Sequence, residues 1–311
     1  MINLMTKEKP YNTLTAYYKY KYKAKVAKIA LNADFTCPNR DGTKGYGGCS
    51  FCSKLGSGDS AGQSLRQQFE RIKSVMKRKW PDILYIPYLQ AYSNTYAPIE
   101  RLKAVYEEII GYYPDKTVGL AIATRADCIE DNTLCYLSEL NQRIPIQIEL
   151  GLQTSNEDCA KRINRCMTND EFIYCVEKLR RHNLEVVVHI INGLPGEKES
   201  DMLNTIRFLN RLDIQGIKIH CLLILKDTAL AREYEQKPFR ILSLAEYAEI
   251  TARQITLLKP SVIIHRLAAD GISDDVIAPK WSQKKLVVMN EIDKLLRKNK
   301  DYQGKNYKDA E

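Results

Sequence analysis

The chain has 311 residues, of which 44% are hydrophobic and 27% are charged, so it can bury a full core in one large α/β domain or in a domain with appendages. No run approaches the roughly 18 apolar residues that span a bilayer, and the polar N-terminus lacks the apolar segment of a secretory signal, so we expect a cytoplasmic protein with no membrane partner. Nine cysteines in a chain of this length favour reduced thiols that serve as ligands over a disulfide framework.

The net charge of +9 is concentrated at the two ends of the chain. Residues 1–30 hold seven lysines and one glutamate, and residues 280–311 hold nine lysines and arginines against five acidic residues. Two basic ends around a neutral body favour an anionic macromolecule as partner, with nucleic acid as the leading candidate. Lysine-rich termini that only improve solubility would give the same pattern.

The first predicted element is a strand that begins in the basic, tyrosine- and lysine-rich segment 1–25. Tyrosine or apolar residues alternate with lysine over 17–29, which is the period-two pattern of a half-exposed strand, and this strand would continue to Ala33. Interleaved tyrosines and lysines can bind an RNA backbone and stack on its bases. The same alternation also describes an edge strand that is protected by charge.

The loop after this strand contains three cysteines, Cys37, Cys49 and Cys52, in the pattern C-x11-C-x2-C. Glycines between the first two let the chain fold back, so that the three thiols can reach one point. No fourth cysteine or histidine follows nearby. Three thiolates fit a [4Fe–4S] cluster with one open iron better than structural zinc, which is closed by four ligands. A redox-inert zinc loop, or thiols buried separately, is the alternative.

The loop, with Phe51 between its last two cysteines, resembles the cluster loop of radical S-adenosylmethionine (SAM) enzymes, and Phe51 is assigned to the SAM site with it. The commonest spacing there is C-x3-C-x2-C. The longer gap here, which opens with Cys-Pro-Asn-Arg-Asp-Gly, is similar to the branch containing the elongator catalytic subunit and its small bacterial relatives. The resemblance covers roughly residues 25–270. It implies that the open iron binds SAM, that a donor such as flavodoxin or ferredoxin reduces the cluster, and that SAM is cleaved to methionine and a 5′-deoxyadenosyl radical, which abstracts hydrogen from the substrate.

After the loop, the hydrophobic period alternates repeatedly between two and about three and a half. Such β–α alternation implies parallel strands with right-handed crossovers. Six units counted from Val26, with a further strand at 262–266, suit an α/β fold, the partial (βα)6 TIM-like barrel of radical SAM enzymes. We divide the chain into the segment 1–25, a radical SAM core over 26–270 and a basic C-terminal extension over 271–311. The other strands are expected at 83–89, 117–123, 145–150, 185–191 and 216–223, and the helices at 63–79, 99–112, 130–141, 156–163, 169–182, 199–212, 227–235 and 244–259.

Polar residues follow several of these strands, at the edge where barrels of this kind carry their chemistry. After the second strand, the segment 90–95 reads Gln-Ala-Tyr-Ser-Asn-Thr. It stands where radical SAM enzymes usually have a Gly-Gly-Glu-like segment that binds the SAM amino group, and it is similar to the Gln-Ala-Tyr form of the small bacterial relatives. The resemblance therefore implies that Gln90, Tyr92 and Asn94 contribute to SAM binding.

The fourth and fifth strands supply further SAM-binding candidates through the same resemblance. It implies that Glu149 and Gln153 face the SAM side of the barrel and that Arg165 lies near the SAM carboxylate, which a guanidinium can bind with two parallel hydrogen bonds. It also implies that Gly193, in a Gly-Leu-Pro-Gly-Glu turn, lies beside the adenine. Structural ion pairing is the alternative for Glu149 and Arg165.

The sixth strand carries Lys218 and His220 at alternate positions, so both side chains share one face. We predict that this face lines the barrel interior near the substrate and that the two residues are catalytic. A satisfied core histidine is the alternative for His220. The six other cysteines show no ligand spacing and are expected to be small buried residues.

Together these features predict a radical SAM enzyme that modifies tRNA. Elongator-like relatives act on the wobble uridine of tRNA, and the basic ends of this chain agree with an RNA substrate. The chain has no room for the acetyltransferase domain of the elongator subunit, so we expect a different change to the uridine side chain, such as remodelling of a substituent already present. The alternatives are a radical SAM enzyme that acts on a small molecule or peptide, and a zinc-dependent RNA-binding module.

Overall fold

The computed structural model describes residues 3–53, 63–269 and 274–308, and a curled parallel sheet forms its centre. The strands are β1 (Val26–Leu31), β2 (Leu84–Leu89), β3 (Leu120–Thr124), β4 (Ile146–Gln153), β5 (Glu185–Asn192), β6 (Gly216–Cys221), β7 (Ile224–Leu225), β8 (Ile263–Arg266) and β9 (Val276–Ala278). Seven of them form the parallel sheet in the order β1-β2-β3-β4-β5-β6-β8, while β7 and β9 pair antiparallel outside it. Sheet order that follows chain order confirms the partial barrel.

Helices precede, connect and follow the strands. They are α1 (Leu14–Tyr22), α2 (Leu65–Lys79), α3 (Ile99–Ile110), α4 (Asp131–Arg143), α5 (Glu157–Arg162), α6 (Asn169–Arg181), α7 (Glu199–Asn210), α8 (Ala229–Gln236), α9 (Leu244–Leu257) and α10 (Lys285–Asn299). Capping boxes at Ser64, Thr168 and Ser243 begin α2, α6 and α9. In the part of the chain that the structure describes, no helix combines the length and apolar character that a membrane span requires.

The N-terminal segment differs from its prediction, because residues 14–22 are helical and the strand begins only at Val26. Thr13 caps helix α1 with its side chain, and Lys23 ends it in the left-handed conformation, with φ +54°. Leu14, Tyr18 and Tyr22 recur every four residues and pack together in one apolar cluster. Burial of this helical stripe therefore overrides the alternation that favoured a strand.

Helix α1 lies against the inner side of the sheet, between its two edge strands. Tyr18 packs with Ile86 and Tyr88 of β2 and with Ala121 and Ala123 of β3 in a cluster separate from the outer core. Ahead of the helix, the carbonyl of Asn12 accepts a hydrogen bond of 2.8 Å from the N–H of Ile264, so the chain pairs there with the edge of β8. The N-terminal segment thus partly closes the gap between β1 and β8.

The C-terminal segment stabilises the N-terminal segment in this position. The amide of Gln303, only 1% exposed, donates to the carbonyls of Lys259 and Val262 and accepts from the N–H of Asn12. Asp293 of α10 is buried and accepts a 2.9 Å hydrogen bond from the hydroxyl of Tyr11. The boundary predicted between residues 270 and 271 falls outside the described residues.

Candidate active site

The carboxyl edge of the sheet brings together the polar segments that follow β1, β2, β3 and β4. Because the strands are parallel, the loops that leave them emerge at the same edge. The cysteine loop follows β1, the segment 90–95 follows β2, and Arg125 and Asp127 follow β3. The carbonyl of Arg165, on the chain after β4 and α5, accepts a 2.8 Å hydrogen bond from Arg125. One compact edge therefore holds the candidate cofactor site.

Asn39 organises the long gap between the first two cysteines. It is fully buried, its carbonyl accepts a 2.7 Å hydrogen bond from the N–H of Gly48, and its amide donates to the carbonyl of Asn164 at 2.5 Å. A Cβ at Gly45 would come within 2.3 Å of the Asn39 Oδ1 atom, so only glycine lets the chain pass so close. This folding returns the chain to Cys49 beside the end of α5.

The three thiols of the loop are free, partly buried and close enough to influence one another. Desolvation, together with smaller contributions from the thiols of Cys52 and Cys37, raises the pKa of the Cys49 thiol to about 12. Arg40 donates from Nη2 to Cys52 Sγ at 3.2 Å, and the Arg125 guanidinium interacts electrostatically with the Cys49 and Cys37 thiols. Two guanidinium groups beside three thiols suit an anionic centre.

The donor set fits an iron–sulfur cluster better than a single ion. No three histidine, cysteine or acidic side chains among residues 3–53, 63–269 and 274–308 are grouped closely enough to hold one metal ion. A cluster does not require such close grouping, because each cysteine binds a different iron. Cys37, Cys49 and Cys52 are therefore the residues of this chain that would hold a [4Fe–4S] cluster.

The three predicted residues in the segment after β2 make different kinds of contact. Tyr92 adopts the left-handed conformation, with φ +61°, and the guanidinium of Arg40 lies 5.0 Å from the centre of its ring. Asn94 is fully buried, and its amide donates to the carbonyls of Leu89 and Ala123, so it joins the ends of β2 and β3. The backbone N–H of Gln90 donates to Leu31 of β1 at 3.2 Å. The structure thus brings Tyr92 to the cysteine loop through its contact with Arg40.

Arg165, which the resemblance places near the SAM carboxylate, uses its side chain in contacts within the protein. Its five N–H groups all have protein acceptors: the carbonyls of Met167, Leu152 and Thr154 and the side chains of Glu157 and Asn169. The side chain is 2% exposed, and burial lowers its pKa. No donor of the guanidinium remains for a ligand carboxylate unless one of these contacts breaks.

The remaining predicted SAM residues surround the same edge. Gln153 ends β4 in the left-handed conformation, with φ +69°, and its amide folds over Gly151. Gly193 has φ +86° in the turn after β5, and its N–H donates to the carboxylate of Glu197 at 3.1 Å. Phe51 packs, partly buried, in an apolar cluster with Ile163 and other side chains near this edge.

Glu149, which is predicted to face the SAM side of the barrel, lies in the barrel interior. It is four residues before the end of β4, its side chain is completely buried, and it contacts three basic side chains of the barrel interior: Lys28, His189 and Lys218. Lys28 approaches to 2.5 Å and His189 to 2.8 Å. Burial opposes the charge of Glu149, but Lys218 and Lys28 outweigh this effect and hold the pKa of the carboxyl well below its usual range.

Lys218 and His220 do share the interior face, as their alternation on β6 predicts. Burial lowers the pKa of Lys218 to about 7, although Glu149 opposes the shift. The ring of His220 lies 5.4 Å from that of His189, and burial lowers the pKa of both imidazoles, that of His189 to about 4. With His265 of β8, three of the four histidines of the chain line this interior.

The predicted residues did not include Lys28, Asn39, Arg40 or His189, which the structure places in the site. Lys28 and His189 sit at inward-facing positions of β1 and β5. His189 is in register with Lys218 on the neighbouring strand β6, and Lys28 reaches Glu149 across the barrel interior. Asn39 and Arg40 were visible in the sequence as part of the cysteine loop. Their contacts with sulfur depend on the loop fold, which the spacing alone does not define.

These features define a class of enzymes that carry a cluster on a barrel. The barrel is partial and parallel, and the loop after its first strand holds three free cysteines. The comparisons agree with this class: the model of the Radical SAM superfamily matches residues 37–209, and that of the Radical SAM C-terminal domain matches residues 214–298. The chain belongs to the radical SAM superfamily, and this membership supports an enzymatic activity and implies SAM and a [4Fe–4S] cluster as cofactors.

Relatives extend along most of the chain. YtqA of Bacillus subtilis (strain 168) is 43% identical over 98% of this chain and 95% of its own length, and YhcC of Escherichia coli (strain K12) is 33% identical over 90% of each. Elongator complex protein 3 of mouse is 26% identical over 50% of this chain but only 28% of its own length. The archaeal Elp3 structure from Methanocaldococcus infernus has a TM-score of 0.68 at 15% identity, with 90% of this chain and 64% of that chain covered, so the likeness shows the fold.

Proposed function

We propose that this protein is a radical SAM enzyme that modifies the side chain of the wobble uridine in tRNA. The observation that carries the proposal is the position of three free thiols, flanked by Arg40 and Arg125, above a barrel interior lined by ionisable side chains. When bound, the cluster would supply the electron that cleaves SAM. Tyr92, Gln153 and Gly193 surround that edge and are proposed to contact SAM, with Phe51 packed behind the loop.

The interior residues are proposed to act on the substrate. Lys218, with a pKa lowered to about 7, can donate or accept a proton near neutral pH, while Glu149 fixes the position of its ammonium group. His220 lies two residues after Lys218 on β6, on the same face and nearer the carboxyl edge. The side chains of His189 and Lys28 are 20% and 14% exposed, so the interior is accessible to small groups. A base inserted from the carboxyl edge would meet these side chains.

RNA as the substrate is supported by the resemblance to elongator-like enzymes and by a basic, aromatic surface. The Tyr20 ring is 49% exposed with Lys23 at 4.7 Å from its centre, and the Trp80 ring is 39% exposed with Lys25 at 5.0 Å. Exposed rings flanked by lysines bind nucleic acid through stacking and phosphate contacts. This surface lies where β1 begins, at the opposite edge from the cysteines, so it would contact RNA far from the reacting base.

The chemistry is tested on anaerobically reconstituted protein. We expect iron and sulfide in the wild type, and 5′-deoxyadenosine on addition of dithionite and SAM, with both lost in Cys52→Ala. Cys135→Ala, which removes an exposed thiol outside the loop, is the matched control and should retain both. A wild type that binds zinc instead of iron, or a reduced cluster that leaves SAM intact, would refute radical SAM chemistry.

The substrate is tested by tRNA binding as a function of salt. We expect Lys25→Glu to weaken binding and to reduce the slope of log affinity against log salt by about 1, because one phosphate contact is lost. Lys103→Glu is the matched control, since Lys103 is also exposed and lies over a tyrosine, 5.2 Å from the ring of Tyr136 on another face. Salt-insensitive binding, with 5′-deoxyadenosine formation unchanged by tRNA, would favour a small molecule or peptide as substrate.

A further inference from the structure

Among the hydrogen bonds found in the described residues, the one from Arg40 is the shortest to a cysteine sulfur of the loop. Its Nη2 atom donates to Cys52 Sγ at 3.2 Å, to the carbonyl of Cys52 at 3.3 Å and to the carbonyl of Ser53 at 2.5 Å. The same guanidinium lies 5.0 Å from the centre of the Tyr92 ring. One side chain thereby connects the last cysteine with the segment that follows β2.

The loop is shaped to accommodate this side chain. Gly48 has φ +80°, and a Cβ at that position would lie 3.0 Å from Arg40 Nε and 3.2 Å from its Cγ. Glycine at position 48 thus provides the backbone conformation and leaves the volume that the arginine stem occupies. Arg40 is half-buried, so its charge is screened by water less than that of a surface arginine.

Asn39, the residue before Arg40, supplies a second donor to a different cysteine. The Asn39 amide approaches Cys49 Sγ at 3.6 Å while it is anchored on the carbonyl of Asn164. The contacts are unequal, because Arg40 brings a full positive charge and a shorter distance. Hydrogen bonds and positive charge at cluster sulfurs stabilise the more negative, reduced state and raise the reduction potential.

We propose that Arg40 is a positioning residue that raises the reduction potential of the cluster by its charged hydrogen bond to the sulfur of Cys52. The inference rests on the proposed function, since it requires the cluster to be present. In this role Arg40 makes the cluster easier to reduce. Its contacts with the carbonyls of Cys52 and Ser53 and with Tyr92 hold the guanidinium at the sulfur.

The test is an anaerobic redox titration of the reconstituted protein, with the electron paramagnetic resonance signal of the reduced cluster as readout. We expect Arg40→Met to lower the midpoint potential. The matched control is Arg101→Met. Arg101 also donates to backbone carbonyls, those of Ala33 and Asp34, and lies 5.0 Å from the ring of Phe35. These contacts lie on the chain that leads to the cysteines and involve carbonyls and a ring, whereas Arg40 contacts a sulfur. We expect Arg101→Met to leave the potential unchanged.

Each outcome decides the proposal. A loaded Arg40→Met with the wild-type potential would overturn it, as would an equal shift in Arg101→Met. If Arg40→Met retains no iron, Arg40→Gln decides, because an amide can still donate to a loop carbonyl but carries no charge. A lower potential in Arg40→Gln supports the proposal, and an unchanged potential leaves Arg40 only a role in holding the loop. A wild type that binds no iron would refute the proposed function itself, which separates the two failures.

Discussion

The imidazole of His189 on β5 lies 2.8 Å from the carboxylate of Glu149 on the neighbouring strand β4, inside the barrel. The same carboxylate receives Lys218 from β6 and Lys28 from β1. One acidic group therefore joins four strands around the interior and compensates two buried ammonium groups. Its removal is expected to affect stability as well as catalysis.

Glu149→Gln should lower the free energy of unfolding by about 3 kcal/mol near neutral pH, because a buried ammonium group loses its counter-charge. The loss should be smaller at about pH 9, where Lys218, with its pKa lowered to about 7, is neutral and needs no counter-charge. Urea denaturation at the two pH values measures the difference. A loss that is equal at both would show that Lys218 does not titrate in this range.

Acid should destabilise the protein through His189. Its pKa is about 4 in the folded chain and near 6.5 when unfolded, so between these values the unfolded chain binds a proton that the folded chain does not. The stabilisation is complete above about pH 6.5 and is lost as the pH falls toward 4, by up to about 3 kcal/mol. His189→Gln should show a smaller loss across this range in urea denaturation. An equally steep loss in the variant would assign the effect to other groups.

Arg165→Lys should lower the free energy of unfolding by about 3 kcal/mol, because an ammonium cannot satisfy the five acceptors that the guanidinium serves. Arg162→Lys is the control three residues earlier, at the end of α5: Arg162 makes an exposed pair with Glu233 at 2.7 Å, and its replacement should change stability by less than about 0.5 kcal/mol. Equal effects of the two variants in thermal or urea unfolding would contradict the structural role of Arg165.

Gln303→Ala should lower the free energy of unfolding by about 2 kcal/mol, since three buried hydrogen bonds join Gln303 to the N-terminal segment and to the chain on either side of Pro260 and Ser261. Gln236→Ala, at an exposed position of α8, should change it by less than about 0.5 kcal/mol. Protection of the N–H of Ile264 from hydrogen exchange should fall with Gln303→Ala. Unchanged protection would show that the N-terminal segment stays paired without Gln303.

The barrel was predictable because its signals are local and repeated. Each crossover helix has an apolar stripe and most have a capping residue, and each strand is a short apolar run, so the alternation defines the sheet order. Helix α1 was missed because its tyrosines satisfy both periods, and only the apolar surface offered by Ile86, Tyr88 and neighbouring residues decides between them. The short pair β7 and β9 was missed because two or three residues carry no period.

The candidate site was predictable only where chemistry constrains residue type. Three thiols at a defined spacing indicate a cluster. A guanidinium can donate hydrogen bonds to a ligand or to backbone carbonyls equally well, and that of Arg165 donates to backbone carbonyls. Glu149 was singled out through the resemblance, as a residue of the fourth strand. Its partners Lys28 and His189 come from strands far apart in sequence, so only the assembled sheet reveals them.

The closure of the β8 edge has a consequence for synthesis of the protein. Asn12 leaves the ribosome before the strands of the sheet, but it pairs with Ile264 and with Gln303, the latter 291 residues later in the chain. The strands up to β6 and the cysteine loop can assemble while translation continues. The N-terminal segment must wait, unpaired, until almost all the described chain has emerged. Closure of the barrel therefore follows the synthesis of β8 and Gln303, and until then a nascent chain would present an open barrel edge to chaperones.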